Sequence, residues 1–296
     1  VARAAEAAFP AWSSLPAAER ASVLDAVADA LDAASDGLVD LADAETALGR
    51  PRLTTELKRT TNQLRLFGDV LREGSYVEAT LDSANPDIIP PRPVLRRMLR
   101  PLGTVAVFAA SNFPFAFSVA GGDTASALAA GCPVVVKAHP SHPRTSEETA
   151  RIVASVVPAG VFGVVHGQQA GVTLVKHPAI KAVGFTGSTV GGRALFDLAN
   201  ARPDPIPFYG ELGSVNPTVV LPDAAAARPE GFAAEFVGSL TLGVGQFCTN
   251  PGLLFAPAAL LPALADAVSS ATGGPMLNER MSDSYRSGTD GLAASG

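Results

Sequence analysis

The chain has 296 residues and a formal net charge of −6, with 47% hydrophobic and 17% charged residues. This balance excludes the low-hydrophobicity, high-charge disordered class, and a negative charge without any Lys/Arg run argues against a nucleic-acid surface. No apolar run approaches the ~18 residues of a membrane span, and two cysteines, Cys132 and Cys248, are too few for a disulfide framework. A reducing, cytoplasmic setting with no nucleic-acid or membrane partner is expected.

In chain order, Ser13, Ser14 and Pro16 open a helix whose apolar side is Val23, Val27 and Leu31, continued by Leu38 and Leu41 after a break at Gly37. Pro51 starts a second helix, with Leu53, Leu57, Leu64, Phe67 and Leu71 at helical spacing and Gly74 as its stop. Residues Asn85 to Pro101 hold five prolines and four arginines around Val94, Leu95, Met98 and Leu99. They read equally as a linker or as an extended arm pairing with another subunit.

From Pro101 the rhythm becomes strand, helix, strand. Apolar runs at Thr104 to Ala109, Pro133 to Val136, Val161 to Val165 and Ala179 to Phe185 alternate with helix-like segments at Phe117 to Ala130, Arg144 to Val156, Gln169 to His177 and Val190 to Ala199. Short β-branched runs between longer amphipathic segments imply a parallel sheet covered on both faces, a doubly wound α/β domain. Ligands bind such sheets beyond the carboxyl ends of the strands. Those ends carry Ser111-Asn112-Phe113-Pro114, then Lys137, then Phe185-Thr186-Gly187-Ser188-Thr189 followed by Gly191 and Gly192. The last turn suits a phosphate at a helix N-terminus, although it is neither Gly-x-Gly-x-x-Gly nor a P-loop.

Further on, Tyr209-Gly210-Glu211-Leu212-Gly213 follows a strand-like run. A strand from Val215 to Leu221 and a helix from Phe232 to Leu242 then lead to Gly245-Gln246-Phe247-Cys248-Thr249-Asn250-Pro251-Gly252. A lone cysteine is most often a small core hydrophobe. Here the glycine-rich approach and the Pro-Gly turn favour display at an element end, where catalytic groups are often found, and Cys248 reads as a nucleophile that needs a base or local positive potential. Cys132, between Gly131 and Pro133, reads as core. His139 and His142 sit in a proline-rich loop without a matching Cys or His cluster, so no metal site is expected.

Taken together and in this order, Asn112 in Ser-Asn-Phe-Pro, Lys137 after Pro-Val-Val-Val, Gly-Phe-Thr-Gly-Ser at 184–188, Glu-Leu-Gly-Ser-x-Asn-Pro from Glu211 and the Cys248 loop resemble the aldehyde dehydrogenase superfamily. Within it, Ala-Ser-Asn-Phe-Pro-Phe-Ala-Phe-Ser, Gly-Gly-Asp-Thr-Ala-Ser-Ala and Lys-Ala-His-Pro look most like 2-oxoglutarate semialdehyde (2,5-dioxopentanoate) dehydrogenases. The resemblance implies an α/β chain in which a doubly wound parallel-sheet cofactor domain precedes the beginning of a second α/β catalytic domain. Its divisions would be N-terminal helices of the cofactor domain at 1–84, an oligomerisation-type arm at 85–101, the NAD(P)-binding domain at 102–212 and a partial catalytic domain at 213–296.

The same resemblance implies roles. Cys248 would add to the aldehyde, Asn112 would donate to the oxyanion, and Glu211 would activate the water that hydrolyses the thioester. Lys137, Ser141, Phe185, Gly187, Ser188, Gly192 and Leu212 would hold NADP or NAD, and Phe115, Phe117 and Phe247 would line the aldehyde tunnel unless they are core. The product would be the carboxylate of an oxo-acid semialdehyde.

Two departures qualify this. Where many NAD-preferring relatives carry a glutamate three residues after the lysine, this chain has Pro140, so Lys137, Ser141 and His142 would tolerate a 2′-phosphate. The chain also begins at Val1, ends in the weakly patterned Ser282 to Gly296, and lacks the family's Glu-x-Phe-Gly-Pro segment and C-terminal strand. It reads as a C-terminally truncated fragment of a protein whose relatives are homo-oligomers. Two rival readings stay open: a truncated nucleotide-binding piece without turnover, and a cysteine (thio)esterase without redox chemistry.

Overall fold

A computed structural model describes residues 1–295, which divide into two compact units, 1–45 with 49–211, and 46–48 with the chain from 212 onward.

The first unit begins with four helices: α1 (Ala2–Ser14), α2 (Ala17–Ala33), α3 (Ser35–Thr46) and α4 (Arg50–Glu73). The break between α2 and α3 falls at Ala34, and Gly37 lies inside α3. Helix α1, not expected from the sequence, is amphipathic and buries Ala5 and Trp12; it is anchored by Trp12, 2% exposed, whose indole N–H donates to the Leu128 carbonyl at 3.2 Å. Leu24, Val27 and Leu31 of α2 and Leu53, Leu57 and Leu64 of α4 are all buried, each such leucine contributing about 1.5–3 kcal/mol. Gly74 ends α4 at φ 88°, the left-handed cap expected of a glycine there.

The proline-rich stretch adopts a small hairpin. Strand β1 (Thr80–Asp82) pairs antiparallel with β2 (Leu95–Arg97), matching Thr80 to Arg97 and Leu81 to Arg96. Its apolar residues face solvent, Leu81 at 75% and Ile89 at 100% exposure.

The core of this unit is a sheet of β3 (Thr104–Phe108), β4 (Val134–Lys137), β5 (Phe162–Val165), β6 (Ile180–Thr186) and β7 (Phe208–Glu211), in the spatial order β5-β4-β3-β6-β7. All pairings are parallel. The intervening helices are α5 (Gly122–Ala129), α6 (Pro143–Val156), α7 (Gln168–Lys176) and α8 (Thr189–Asn200). The four expected strands form within a residue or two of their apolar runs. Helix α5 starts five residues later than its pattern suggests, because residues 113–121 are held as a loop. The chain winds outward from β3 to β5 and returns to β6 on the other side of β3. The topological switch point therefore lies between β3 and β6, where a doubly wound sheet opens its ligand crevice.

The second unit contains a two-stranded parallel sheet of β8 (Pro217–Val219) and β9 (Leu253–Phe255), with α9 (Pro222–Ala227), α10 (Pro229–Thr241), α11 (Leu261–Ser269) and α12 (Glu279–Ser295). A small core gathers Val220, Ala225 and Leu260, with Phe232, Leu254 and Leu264 packed against it.

Candidate active site

Each unit holds its own group of the expected site residues. In the first, strand register sets the group. Phe108 pairs with both Lys137 and Phe185, and Thr186 pairs with Glu211. The loop bearing Asn112, the Lys137 ammonium, the Gly187-Ser188 turn and Glu211 therefore all leave the carboxyl edge of one sheet. The backbone joins two of these segments directly, since the Gly187 N–H donates to the Glu211 carbonyl at 3.0 Å.

Ser188 caps α8, its Oγ accepting the Gly191 N–H at 3.2 Å. Gly187, Ser188 and Thr189 are exposed while Gly192 is buried against the unit. A second carboxylate stands nearby that sequence reasoning passed over. Asp123, in the first turn of α5, lies 3.1 Å from where a side chain on Gly184 would begin. Burial, with the charge of Glu211 adding to it, holds its pKa above the ordinary aspartate value.

Lys137 is half-buried, and desolvation lowers its pKa. Of its expected companions, Ser141 is half-buried, but His142 is 0% exposed and committed elsewhere. Its Nε2 lies 3.0 Å from the Ala110 carbonyl and its Nδ1 3.2 Å from Ser146 Oγ. His142 is therefore a core residue steadying the start of the Asn112 loop, and the expectation that it meets a 2′-phosphate is corrected. His139 carries no charge to offer either, because burial, and then the neighbouring His142 and Lys137, push its pKa down to about 3. The first N–H groups of α6 are also taken, Arg144 and Thr145 donating to the Glu45 carboxylate at 2.9 and 2.8 Å.

The Asn112 loop is held by α4. Arg52 Nη2 donates to the Asn112 carbonyl at 2.5 Å, and its guanidinium lies 5.1 Å from the centre of the Phe113 ring. Phe113 meets Phe117 edge-on at 5.3 Å. Phe115, by contrast, is 1% exposed and belongs to the core, while Phe117 stays half-buried. Phe185 packs between Phe108 and Phe208, at 6.0 and 6.1 Å.

In the second unit the thiol of Cys248 is exposed, whereas Cys132 of the first unit is buried and its pKa raised by desolvation. Two residues of the Glu-Leu-Gly-Ser-x-Asn-Pro motif strap the cysteine loop down. Ser214 Oγ donates to the Cys248 carbonyl at 2.5 Å, and Asn216 Nδ2 donates to the carbonyls of Cys248 at 2.6 Å and Asn250 at 2.9 Å. Asn216 does this from a left-handed backbone, φ 50°, a conformation that asparagine tolerates better than most residues. Leu212 is half-buried at the start of this motif, and Phe247 is half-buried beside the thiol.

The glycines before the cysteine have a backbone reason. Gly243, Val244 and Gly245 are all left-handed, at φ 60°, 59° and 70°. A side chain on Gly243 would begin 2.7 Å from the Phe247 ring. Val244 in this region is a true outlier for a β-branched residue, and such strain concentrates where structure serves function. Among the described residues, no three His, Cys, Asp or Glu side chains gather as a metal site. No helix among them is long and apolar enough to cross a membrane.

A doubly wound sheet with a cation, a capped glycine-rich turn and an acid along its carboxyl edge, followed by a strapped, exposed cysteine, defines the class, and the chain belongs to the aldehyde dehydrogenase family, which it matches over residues 1–288. It is 51% identical over 97% of its length to alpha-ketoglutaric semialdehyde dehydrogenase 2 of Azospirillum brasilense, and 46% identical over 98% to alpha-ketoglutaric semialdehyde dehydrogenase of Acinetobacter baylyi. The chain spans 57% of the length of each of these relatives. Among solved structures it resembles an NADP-dependent enzyme of E. coli, with a TM-score of 0.80 and 26% identity, covering 94% of this chain and 59% of that one.

Proposed function

We propose that this chain carries the aldehyde-oxidising chemistry of an NAD(P)-dependent dehydrogenase acting on 2-oxoglutarate semialdehyde, in a reducing, cytoplasmic setting. Residues 102–212 are the cofactor-binding domain and residues from 213 onward are catalytic. The observation that carries the reading is the exposed Cys248 thiol on a loop fixed through its own carbonyl by Ser214 and Asn216.

The residues fit an anionic dinucleotide. A lysine and an exposed glycine-rich turn at the start of a 12-residue helix leave the same sheet edge, the donor set that helix N-termini offer to phosphates. Lys137, Ser141, Phe185, Gly187, Ser188, Gly192 and Leu212 would hold it. With Pro140 in place of an acid, Lys137 and Ser141 admit NADP as well as NAD. When bound, the nicotinamide supplies the two-electron acceptor that takes the aldehyde carbon to the acyl level.

The chain's own groups do the rest. Cys248 forms the carbon–sulfur bond to the aldehyde carbon. The Asn112 side-chain amide and the Cys248 main-chain N–H donate to the oxyanion, a contribution typically worth a few kcal/mol per donor. Glu211 takes a proton from the water that attacks the acyl group, and the acyl–sulfur bond breaks to release carboxylic acid and thiol. Phe117 and Phe247, with Phe113, would give the aldehyde an apolar approach.

Single-turnover nicotinamide reduction with 2-oxoglutarate semialdehyde and saturating NADP tests this. A burst stoichiometric with protein and lost in Cys248→Ala is expected. No burst from folded protein that still binds NADP would move the reading to a nucleotide-binding piece, and ester cleavage without cofactor as the sole activity would move it to a cysteine hydrolase.

A further inference from the structure

Glu56 lies on the inward side of α4 among Leu53, Leu57 and Thr60, at 4% exposure. A carboxylate there is costly, since moving an ionised group out of water carries a penalty of several kcal/mol. Its pKa is held above the ordinary glutamate value by that burial, although two backbone hydrogen bonds and the charges of Arg52 and Arg59 oppose it. An apolar residue of similar volume would serve packing better. What the carboxylate does instead is specific. Oε1 accepts the N–H of Phe115 at 2.8 Å and the N–H of Ala116 at 3.0 Å. Oε2 is buried without a hydrogen bond, with the Arg52 guanidinium 3.8 Å away.

Arg52 is in turn bonded to the Asn112 carbonyl and lies over the Phe113 ring. The pair thus grips residues 112, 113, 115 and 116 from one helix. This segment belongs to neither β3 nor α5, so its amides lack regular partners, and buried amides must find some. Glu56 supplies the acceptor for two of them, and Arg52, one turn away on α4, donates to the carbonyl of Asn112, each about 60 residues away in sequence.

We propose that Glu56 is a positioning residue that, with Arg52 as its counter-ion, sets where the Asn112 side chain stands, and through it the stabilisation of the oxyanion. The inference rests on the assignment of Asn112 as oxyanion donor, and it deepens that reading. Glu56 touches no substrate. It holds the main chain just after Pro114, while Arg52 holds the Asn112 carbonyl before it, and the fixed φ of the Pro114 ring lets a shift at Phe115 carry back to Asn112 with little slack. Donors that stabilise an oxyanion act through preorganised position, so a loop shift of an ångström forfeits most of their effect.

The test combines amide exchange and single-turnover kinetics on the full chain carrying Glu56→Leu or Glu56→Gln. In Glu56→Leu the amides of Phe115 and Ala116 should exchange at least ten-fold faster, while those of the central strands are unchanged. The burst rate should fall ten-fold or more, with NADP affinity and aldehyde KM within two-fold of the parent. Glu56→Gln keeps one acceptor oxygen for both N–H groups and should recover most of the protection and of the rate; it also serves as the readable variant should Glu56→Leu fail to fold.

A double-mutant cycle separates positioning from mere stability. In an Asn112→Ala background, Glu56→Leu should cost no further rate, whereas a purely structural effect would persist. Unchanged exchange at 115 and 116, or a full additional rate loss in the Asn112→Ala background, would overturn the proposal. A parent protein that gives no burst defeats the proposed function instead, and the exchange arm still decides whether Glu56 holds the loop.

Discussion

Asn216 lets the strap on the cysteine loop be weighed in parts. It donates to the carbonyls of Cys248 and Asn250 while standing at φ 50°. Replacing it by glycine removes both hydrogen bonds to carbonyls, together with the longer one to Ser214 Oγ at 3.3 Å, and leaves the backbone at ease. At about 0.5–1.5 kcal/mol per bond, the loss should be about 1–3 kcal/mol. Replacing it by alanine removes the same bonds and adds a left-handed penalty of roughly 1 kcal/mol, so Ala should be worse than Gly by that amount. Asn216→Asp keeps the backbone preference but turns an acceptor toward two carbonyl oxygens, and should fall at or below Ala. Urea unfolding gives the order of stabilities. The rate of Cys248 alkylation by iodoacetamide under native conditions gives the local effect, because Cys132 is buried and does not compete. Loosening the loop should change that rate several-fold in the same order. If the glycine variant matched the parent in both urea midpoint and alkylation rate, the strap would contribute nothing and the reasoning would fail.

Other expectations follow from the same geometry. A side chain on Gly121 would begin 2.4 Å from the Ala116 carbonyl oxygen and 2.9 Å from the Ser118 nitrogen, so Gly121→Ala must displace backbone and should cost about 1–3 kcal/mol in urea unfolding; a neutral result would show that the loop yields freely. Gly243→Ala combines a φ of 60° with a 2.7 Å approach to the Phe247 ring, and should move Phe247 and alter Cys248 alkylation more than Gly238→Ala, where a side chain would meet nothing within 4 Å. His139 titrates at about 3 in the folded chain against an ordinary value near 6.5. The unfolded chain therefore binds its proton first, and stability falls with acid across that window by about 1.4 kcal/mol for each pH unit. His139→Asn should flatten the curve of stability against pH between about 6 and 3.5, and an unchanged slope would show that His139 is protonated while folded. Asp123 carries the opposite perturbation, a pKa raised by burial and by Glu211. Its ionisation disfavours the folded state as pH rises past the unfolded value, so Asp123→Asn should gain in melting temperature at pH 7 relative to pH 3; equal differences at both pH values would refute this.

Local chemistry alone was enough to mark the parallel sheet and the stop of α4 at Gly74. Strand runs such as Pro-Val-Val-Val are apolar because both faces are covered, and the residue that ends each run must lie at the carboxyl edge. Lys137 and Glu211 were legible for that reason. The same local chemistry separates a loop cysteine, Cys248, from a core one, Cys132. What it could not reach was every feature made by residues distant in sequence. Helix α1 buries only Ala5 and Trp12 and is set by Trp12 reaching Leu128, a partner 116 residues away. The start of α5 is delayed because residues before it close turns among themselves, the Gly122 N–H donating to the Ala116 carbonyl, and Gly121 caps the helix from an extended backbone. His142 looked like a polar loop residue and proved to be a buried tie to Ala110. Ser214 and Asn216 were visible as part of a motif, but their work on the Cys248 carbonyl exists only once β8 lies beside the cysteine loop. Propensity and periodicity act over a turn or a strand, whereas hydrogen bonds to irregular backbone are made wherever packing brings a partner, and that is decided by the tertiary structure.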